Sequence, residues 1–269
     1  MTVGMSSSIV DRYTAMLMIP KGGGWMGADR RPKIDFGLLK RAISKKLTGS
    51  IKYRSRAGYD AQRYWSERFN KYGSSLRGAG HEGLSEEANE KMYLEAAGVF
   101  QGVVGPILGH LTEPRVLEIG CGTGFYTSLF NQLGLDNYTG VDITNVLFDR
   151  HRRRFPRYRF LQADITKHPI DGSYDLAIMI DVIEHIVTRD ALEAAFANLR
   201  AALAPGGYLI VGPQFDQSRR HLFYVHFWSV EDVKTAYAEW DEVERKAFRN
   251  GILLVFQKPK DVDPPPRIA

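Results

Sequence analysis

One cysteine, Cys121, stands in the whole sequence. Internal disulfides and cysteine zinc clusters are therefore excluded. No apolar run approaches the roughly 18 residues of a membrane-spanning helix. The longest early one, Ala15 to Ile19, is also shorter than the ~7–15 residues of a signal-peptide core. A cytoplasmic setting is the expectation. Acidic residues are scarce at one end: residues 1–80 hold 16 Lys and Arg against 5 Asp and Glu, the rest 20 against 26. Such an asymmetry predicts an anionic partner for the basic part. Residues 30–56, with ten Lys and Arg, are expected to meet an anionic membrane surface or a phosphorylated partner. That would place the protein at the inner membrane face; a solvated leader is the alternative. The overall 44% hydrophobic and 25% charged residues are globular values and argue against disorder, collagen and coiled coil.

The chain divides by rhythm. Residues 1–60 read as a basic extension broken by Gly22-Gly23-Gly24 and by Pro20 and Pro32. Within it, 34–47 predicts a short basic amphipathic helix, with Ile34, Leu38, Ile43 and Leu47 on one face. Residues 61–112 predict a helical cover, with helices over 61–71 and 85–108; Ser85 before Glu86 and Glu87 is an N-cap signal. Residues 113–259 alternate strand-like runs (115–119, 137–141, 158–162, 175–180, 207–212) with helical ones (124–133, 144–154, 189–203, 229–239). This predicts a mostly parallel sheet wrapped by helices. The pair 241–248 and 252–258 predicts an antiparallel hairpin at the sheet edge. Residues 260–269, with Pro264-Pro265-Pro266, read as a flexible tail. The fold class is α/β, a seven-stranded Rossmann-like sheet with one antiparallel edge hairpin.

The first strand runs into Glu118-Ile119-Gly120-Cys121-Gly122-Thr123-Gly124. Glycines at a strand-to-helix turn let backbone approach a ligand beyond the strand's carboxyl end. A dinucleotide fingerprint would place the third glycine one residue later, which disfavours an NAD enzyme. Asp142 closes the second strand, where an acid accepts the hydroxyls of a ribose; the alternative is a capping aspartate. Asp164 closes the third, as ligand acceptor or as helix N-cap. Cys121 reads as a small filler inside the loop.

VLEIGCGTG, VDIT, LQADI, DLAIMIDVIEHI and LAPGGYLIV together resemble the successive motifs of class I S-adenosylmethionine (SAM)-dependent methyltransferases, over about 114–258. The resemblance implies SAM as cofactor. It puts Gly120, Gly122 and Gly124 close to it, Glu118 near the methionine amino group, Asp142 and Ile143 at the ribose, Asp164 and Ile165 at the adenine, and Asp181 and Val182 beside the methionyl end. The segment YWSERF resembles a helix that covers the cofactor in related enzymes, which makes Tyr64 and Trp65 covering residues.

SAM carries its own activated methyl group, so the protein must hold a nucleophile in line and, where needed, deprotonate it. Asp181, Glu184 and His185 stand at i, i+3 and i+4, one face of a helical turn if one begins there. His185 with Glu184 is the candidate general base; His226, from His226-Phe227-Trp228-Ser229, is a candidate to join it. The cluster also resembles the Glu-x-x-Glu-His metal site of ubiquinone-pathway and small-RNA O-methyltransferases. A divalent metal on Asp181, Glu184, His185 and His226 is thus the alternative; Asp in place of the first Glu shortens that reach and disfavours it. The expected reaction is methyl transfer to a hydroxyl of a small-molecule, glycan or lipid-linked acceptor. The competing readings are an RNA 2′-O-methyltransferase and a non-catalytic SAM-binding subunit. Six arginines within 150–159 could form a nucleic-acid surface, but a solvated helix end far from the catalytic edge is the favoured reading.

Overall fold

The computed structural model describes residues 49–55 and 58–260. The basic helix expected over 34–47, the remainder of the leader before residue 49, Arg56 and the proline tail lie outside the described residues.

Five strands are parallel and each leads into a helix or turn. They are β1 (Val116–Ile119), β2 (Tyr138–Asp142), β3 (Arg159–Gln162), β4 (Tyr174–Ile180) and β5 (Leu203–Gln214). The expected edge hairpin is β8 (Asp241–Phe248) and β9 (Gly251–Gln257), with β9 antiparallel to β5. The seven-stranded order is β3-β2-β1-β4-β5-β9-β8. The mixed sheet predicted from the alternation is therefore present.

The apolar runs are continuous because the central strands are covered on both faces. In β4, Leu176 and Ile178 pack into the core that α3 (Glu86–Gly109) and α4 (Phe125–Gln132) bury. Ala177 and Met179 pack into the other core, under α6 (Arg189–Ala202) and α7 (Val230–Ala236). All four are at most 1% exposed. At ~1.5–3 kcal/mol for each large apolar side chain buried, these layers dominate the stability that fixes the strand ends.

Ahead of the sheet stand α1 (Ala61–Tyr72), the short α2 (Leu76–Ala79) and α3. Asp60 caps α1, accepting the Arg63 N–H at 3.1 Å; Ser85 caps α3 as expected, accepting from Ala88 N at 3.2 Å. The glycines of α3 do not interrupt it: Gly98, Gly102 and Gly105 look into open space, while Phe100, Val103, Val104 and Ile107 carry the buried face.

Two local expectations are corrected and one segment without an expectation gains an element. The helix expected over 144–154 is α5 (Phe148–Arg154), starting later because Asp142 Oδ1 accepts the Thr144 N–H and holds a turn there. β5 begins at Leu203, earlier than expected, since the Leu203–Gly207 segment joins the sheet through a bulge opposite Tyr174 and Leu176. The aromatic connection after β5 is a separate two-stranded hairpin, β6 (Arg219–Leu222) and β7 (Val225–Phe227).

Candidate functional site

Parallel strands end on one edge, and there the chain leaves a cavity of about 390 Å³, within the size range of small-molecule and cofactor sites. Its floor is the turn after β1. Gly120, Gly122 and Gly124 all have positive φ (76°, 47° and 81°). At Gly120 a Cβ would fall 2.2 Å from Val182 Cγ2. Only glycine gives both the left-handed backbone and the clearance. Gly120 and Gly122 line the cavity with Glu118 and Cys121. Gly124 does not, contrary to the expectation. It is the left-handed N-cap of α4, and its missing Cβ makes room for the ring of His151, whose Cε1 would lie 2.8 Å away.

Two buried carboxylates stand beside this floor. Asp142 is 7% exposed and accepts the N–H groups of Gly122 (2.9 Å) and Thr144 (3.0 Å). Burial nevertheless raises its pKa to about 6. Glu118 is 2% exposed and accepts from Tyr138 Oη and from Thr127 Oγ1 (3.0 Å). Burial pushes it up to about 7 against those two donors. Desolvated acids without a cation are the kind of group that a ligand carrying hydroxyls or an ammonium would satisfy. Ile143, Asp164, Ile165, Asp181 and Val182 also line the cavity. Asp164 is at the same time a cap: Oδ1 accepts the Thr166 N–H (3.0 Å) and hydroxyl (2.7 Å), and Oδ2 pairs with Lys167 at 2.8 Å. Burial opposes its ionisation, but these partners outweigh it and hold its pKa below the usual value.

Opposite stands an aromatic wall. Trp65 from α1 lines the cavity and donates its indole N–H to Tyr59 Oη at 3.3 Å. Tyr64, expected as its companion, is instead packed among Tyr53, Tyr59, Phe223 and Tyr224, with its hydroxyl accepting from Arg68 at 3.0 Å. Successive side chains of a helix point about 100° apart, and here Trp65 takes the cavity side of α1 while Tyr64 takes the packed side. Tyr59, Phe69, Tyr93 and Tyr126 line it as well and were not singled out in the sequence. Aromatic residues on isolated helices carry no signal of which cavity they will meet.

The Asp181–His185 cluster is built otherwise than expected. Asp181 has φ 57°, outside any helix, and only Ile183–His185 form a single 3₁₀ turn. The three side chains therefore do not share one helix face. Asp181 lines the cavity but is held by Arg249, Nε to Oδ1 at 2.8 Å and Nη2 to Oδ2 at 2.6 Å, and by Tyr126 Oη at 3.1 Å. Glu184 is not in the cavity wall. Its Oε2 is buried with no partner, and burial first, then the nearby Asp181 charge, raises its pKa. His185 does line the cavity, edge-on to Trp65 at 4.7 Å. Its Nδ1 lies 3.0 Å from the Tyr224 carbonyl. A carbonyl only accepts, so Nδ1 carries the proton and Nε2 is left as the acceptor nitrogen. Burial lowers the His185 pKa to about 4, so the ring is neutral at neutral pH.

His226 is not beside His185 in the cavity wall. It stacks on Trp228 at 3.9 Å with neither ring nitrogen partnered, while Trp228 anchors to the Ile186 carbonyl at 2.8 Å. The ring is thus packed in the aromatic segment, but not as a hydrogen-bonded core histidine. The quartet Asp181, Glu184, His185 and His226 does not converge, and among the described residues no three His, Cys, Asp or Glu gather in metal-binding geometry. The six arginines of 150–159 are all exposed, on α5, the turn after it and the first residue of β3, and none of them lines the cavity.

Residues 116–207 match a family model described as a methyltransferase domain. Among curated proteins, lovastatin nonaketide synthase mokA of Monascus pilosus is 29% identical over 197 residues, which is 64% of this chain and 6% of that protein. The polyketide synthase-nonribosomal peptide synthetase phmA of Phaeosphaeria nodorum is 38% identical over 109 residues, 36% of this chain and 3% of that protein. The chain thus spans a small fraction of the length of these relatives. Among solved structures, DesVI of Streptomyces venezuelae aligns with a TM-score of 0.50 at 16% identity, covering 62% of this chain and 92% of that one. That likeness bears on the fold alone.

Proposed function

We propose that the chain is a class I SAM-dependent methyltransferase that methylates a small-molecule acceptor, which gives up its proton to His185; the match of residues 116–207 to a methyltransferase-domain model supports the reading. The observation that carries this reading is the position of His185. Its ring lines the same cavity as Gly120, Gly122, Asp142 and Asp164, with Nδ1 tied to a carbonyl and Nε2 left to accept.

The residues present suit the cofactor: a cavity of matching size, glycines that let backbone approach, and two desolvated acids lacking cations. When bound, SAM supplies an activated methyl on a sulfonium, so no covalent enzyme nucleophile is required. Asp142 and Ile143 are the residues to hold the ribose, Asp164 and Ile165 the adenine, and Glu118 the amino group. Trp65, Phe69 and Tyr93 exclude water from the reacting end, which strengthens the electrostatic interactions inside.

Burial keeps His185 in its neutral, accepting form at neutral pH, so Nε2 is free to take a proton from the acceptor. The matched relatives are named as polyketide synthases, and polyketide chains carry carbonyls that acidify neighbouring enols. We therefore infer a polyketide-like acceptor, methylated at an acidic hydroxyl or at the carbon of the same enol. Labelled-methyl transfer from SAM onto a panel of enolisable, phenolic and amine acceptors, with mass spectrometry of the products, tests this. Enolic or phenolic products that vanish in His185→Ala support it. Methylation confined to amines and untouched by that substitution would sink it.

A further inference from the structure

Arg249 sits in the turn between β8 and β9. Since β9 runs antiparallel to β5, with Gln214 opposite Ile252, that turn lies at the same edge of the sheet as the cavity. An arginine in a hairpin turn ordinarily reaches into solvent. This side chain is only 11% exposed and folds inward to Asp181, which lies 68 positions earlier. It meets the carboxylate with two parallel hydrogen bonds, 2.8 and 2.6 Å, the bidentate geometry that only a guanidinium provides. Its Cζ lies 4.6 Å from the centroid of the Tyr93 ring, itself part of the cavity wall. The backbone at Arg249 is left-handed, φ 52°, and Asp181 is left-handed too, φ 57°. Both residues are thus held in conformations costly for side-chain-bearing residues. Arg249 does not itself line the cavity; Asp181 does.

We propose that Arg249 is a positioning residue of the cofactor site: it fixes the carboxylate of Asp181 in the cavity wall and so sets the end of the site where the methyl group is delivered. The inference rests on the SAM reading above. A buried carboxylate that loses its bidentate partner is left uncompensated, here with the unpartnered Glu184 oxygen in the same cluster. Asp181 would then rotate toward other donors or draw in water, and the wall would lose its fixed charge. Tyr126, with a single hydrogen bond to Oδ2, cannot replace a two-point hold.

The test reads cofactor affinity by calorimetry and fold by near-ultraviolet circular dichroism and thermal unfolding, on the full chain. Arg249→Gln is expected to weaken SAM binding about tenfold or more while the near-ultraviolet spectrum is retained. Arg249→Lys is expected to recover only part of the loss, because one ammonium does not bridge both oxygens. In the double variant Asp181→Asn, Arg249→Gln, two neutral amides face each other, so thermal stability should return toward wild type while SAM affinity stays low. A folded Arg249→Gln protein that binds SAM as the wild type does would overturn the proposal. If Arg249→Gln does not fold, Arg249→Lys and the double variant decide: wild-type SAM affinity in either would overturn it. Wild-type protein that binds no SAM would defeat the cofactor reading itself, an outcome distinct from the variant binding unchanged.

Discussion

The cavity has two walls made in different ways. The wall from Gly120 to Ile165 is held by bonds between near neighbours: Thr144 to Asp142 and Thr166 to Asp164, two positions apart, and Gly122 to Asp142, twenty apart. The wall from Tyr59 to His185 is held across the chain. Tyr59 donates to the His185 carbonyl over 126 positions, His185 to Tyr224 over 39, and Arg249 to Asp181 over 68. The first wall needs only the strand-to-turn junctions of β1, β2 and β3. The second exists only when α1, the β6–β7 hairpin and the β8–β9 turn have all docked. Substitutions in the first wall should therefore act on cofactor affinity. In the second, His185 should act on turnover and acceptor choice, whereas Arg249, through Asp181, should act on cofactor affinity.

The largest effect should come from His185. We expect His185→Ala to lower turnover by ~10²–10⁴ while SAM affinity moves less than about twofold, as read by steady-state assay and calorimetry. Comparable losses in affinity and turnover would erase the division between the walls. The pH profile sharpens the same point. The base works when unprotonated, and burial holds its pKa to about 4. The acid limb of kcat/KM for the acceptor, at saturating SAM, should accordingly fall below pH 5. A limb between 6 and 7 would mean an ordinary, solvated histidine.

On the cofactor wall, Asp142→Ala should weaken SAM binding by roughly 1–3 kcal/mol, the loss of a buried charged acceptor, with turnover at saturating SAM changing less. Glu118 adds a pH effect on stability. Its folded pKa is raised by burial to about 7 from 4.5. Its contribution is therefore fully present below pH ~4.5 and lost as pH rises through 7, by at most roughly 3 kcal/mol. Thermal unfolding between pH 5 and 8 should show that slope, and Glu118→Gln should flatten it; an unchanged slope would move its cause elsewhere.

The smallest effect is expected at His226, whose ring nitrogens have no partner and whose face is stacked on Trp228. His226→Phe should keep activity within about twofold and leave any response to chelator unchanged. A tenfold loss would restore His226 to the chemistry.

The same division explains what was legible in the sequence. The sheet, its edge hairpin and the first wall follow from contiguous patterns: a strand, a glycine turn, an acid at the next strand end. Each reports a local backbone requirement. Gly124 misled because a glycine needed to clear His151 looks the same in sequence as one needed to clear a ligand. Asp181, Glu184 and His185 misled because i, i+3, i+4 spacing implies one face only on a helix, and Asp181 at φ 57° is not on one. Arg249 and Tyr93 gave no signal, since nothing local to a hairpin turn or to α3 says that the two will meet at 4.6 Å beside Asp181.

The central claim is that the cavity beyond β1, β2 and β3 is a SAM site. Calorimetric titration of the wild-type chain with SAM, with its demethylated product and with NAD tests it most directly. The account predicts micromolar-range binding of the first two and none of the third; NAD binding without SAM binding would contradict it.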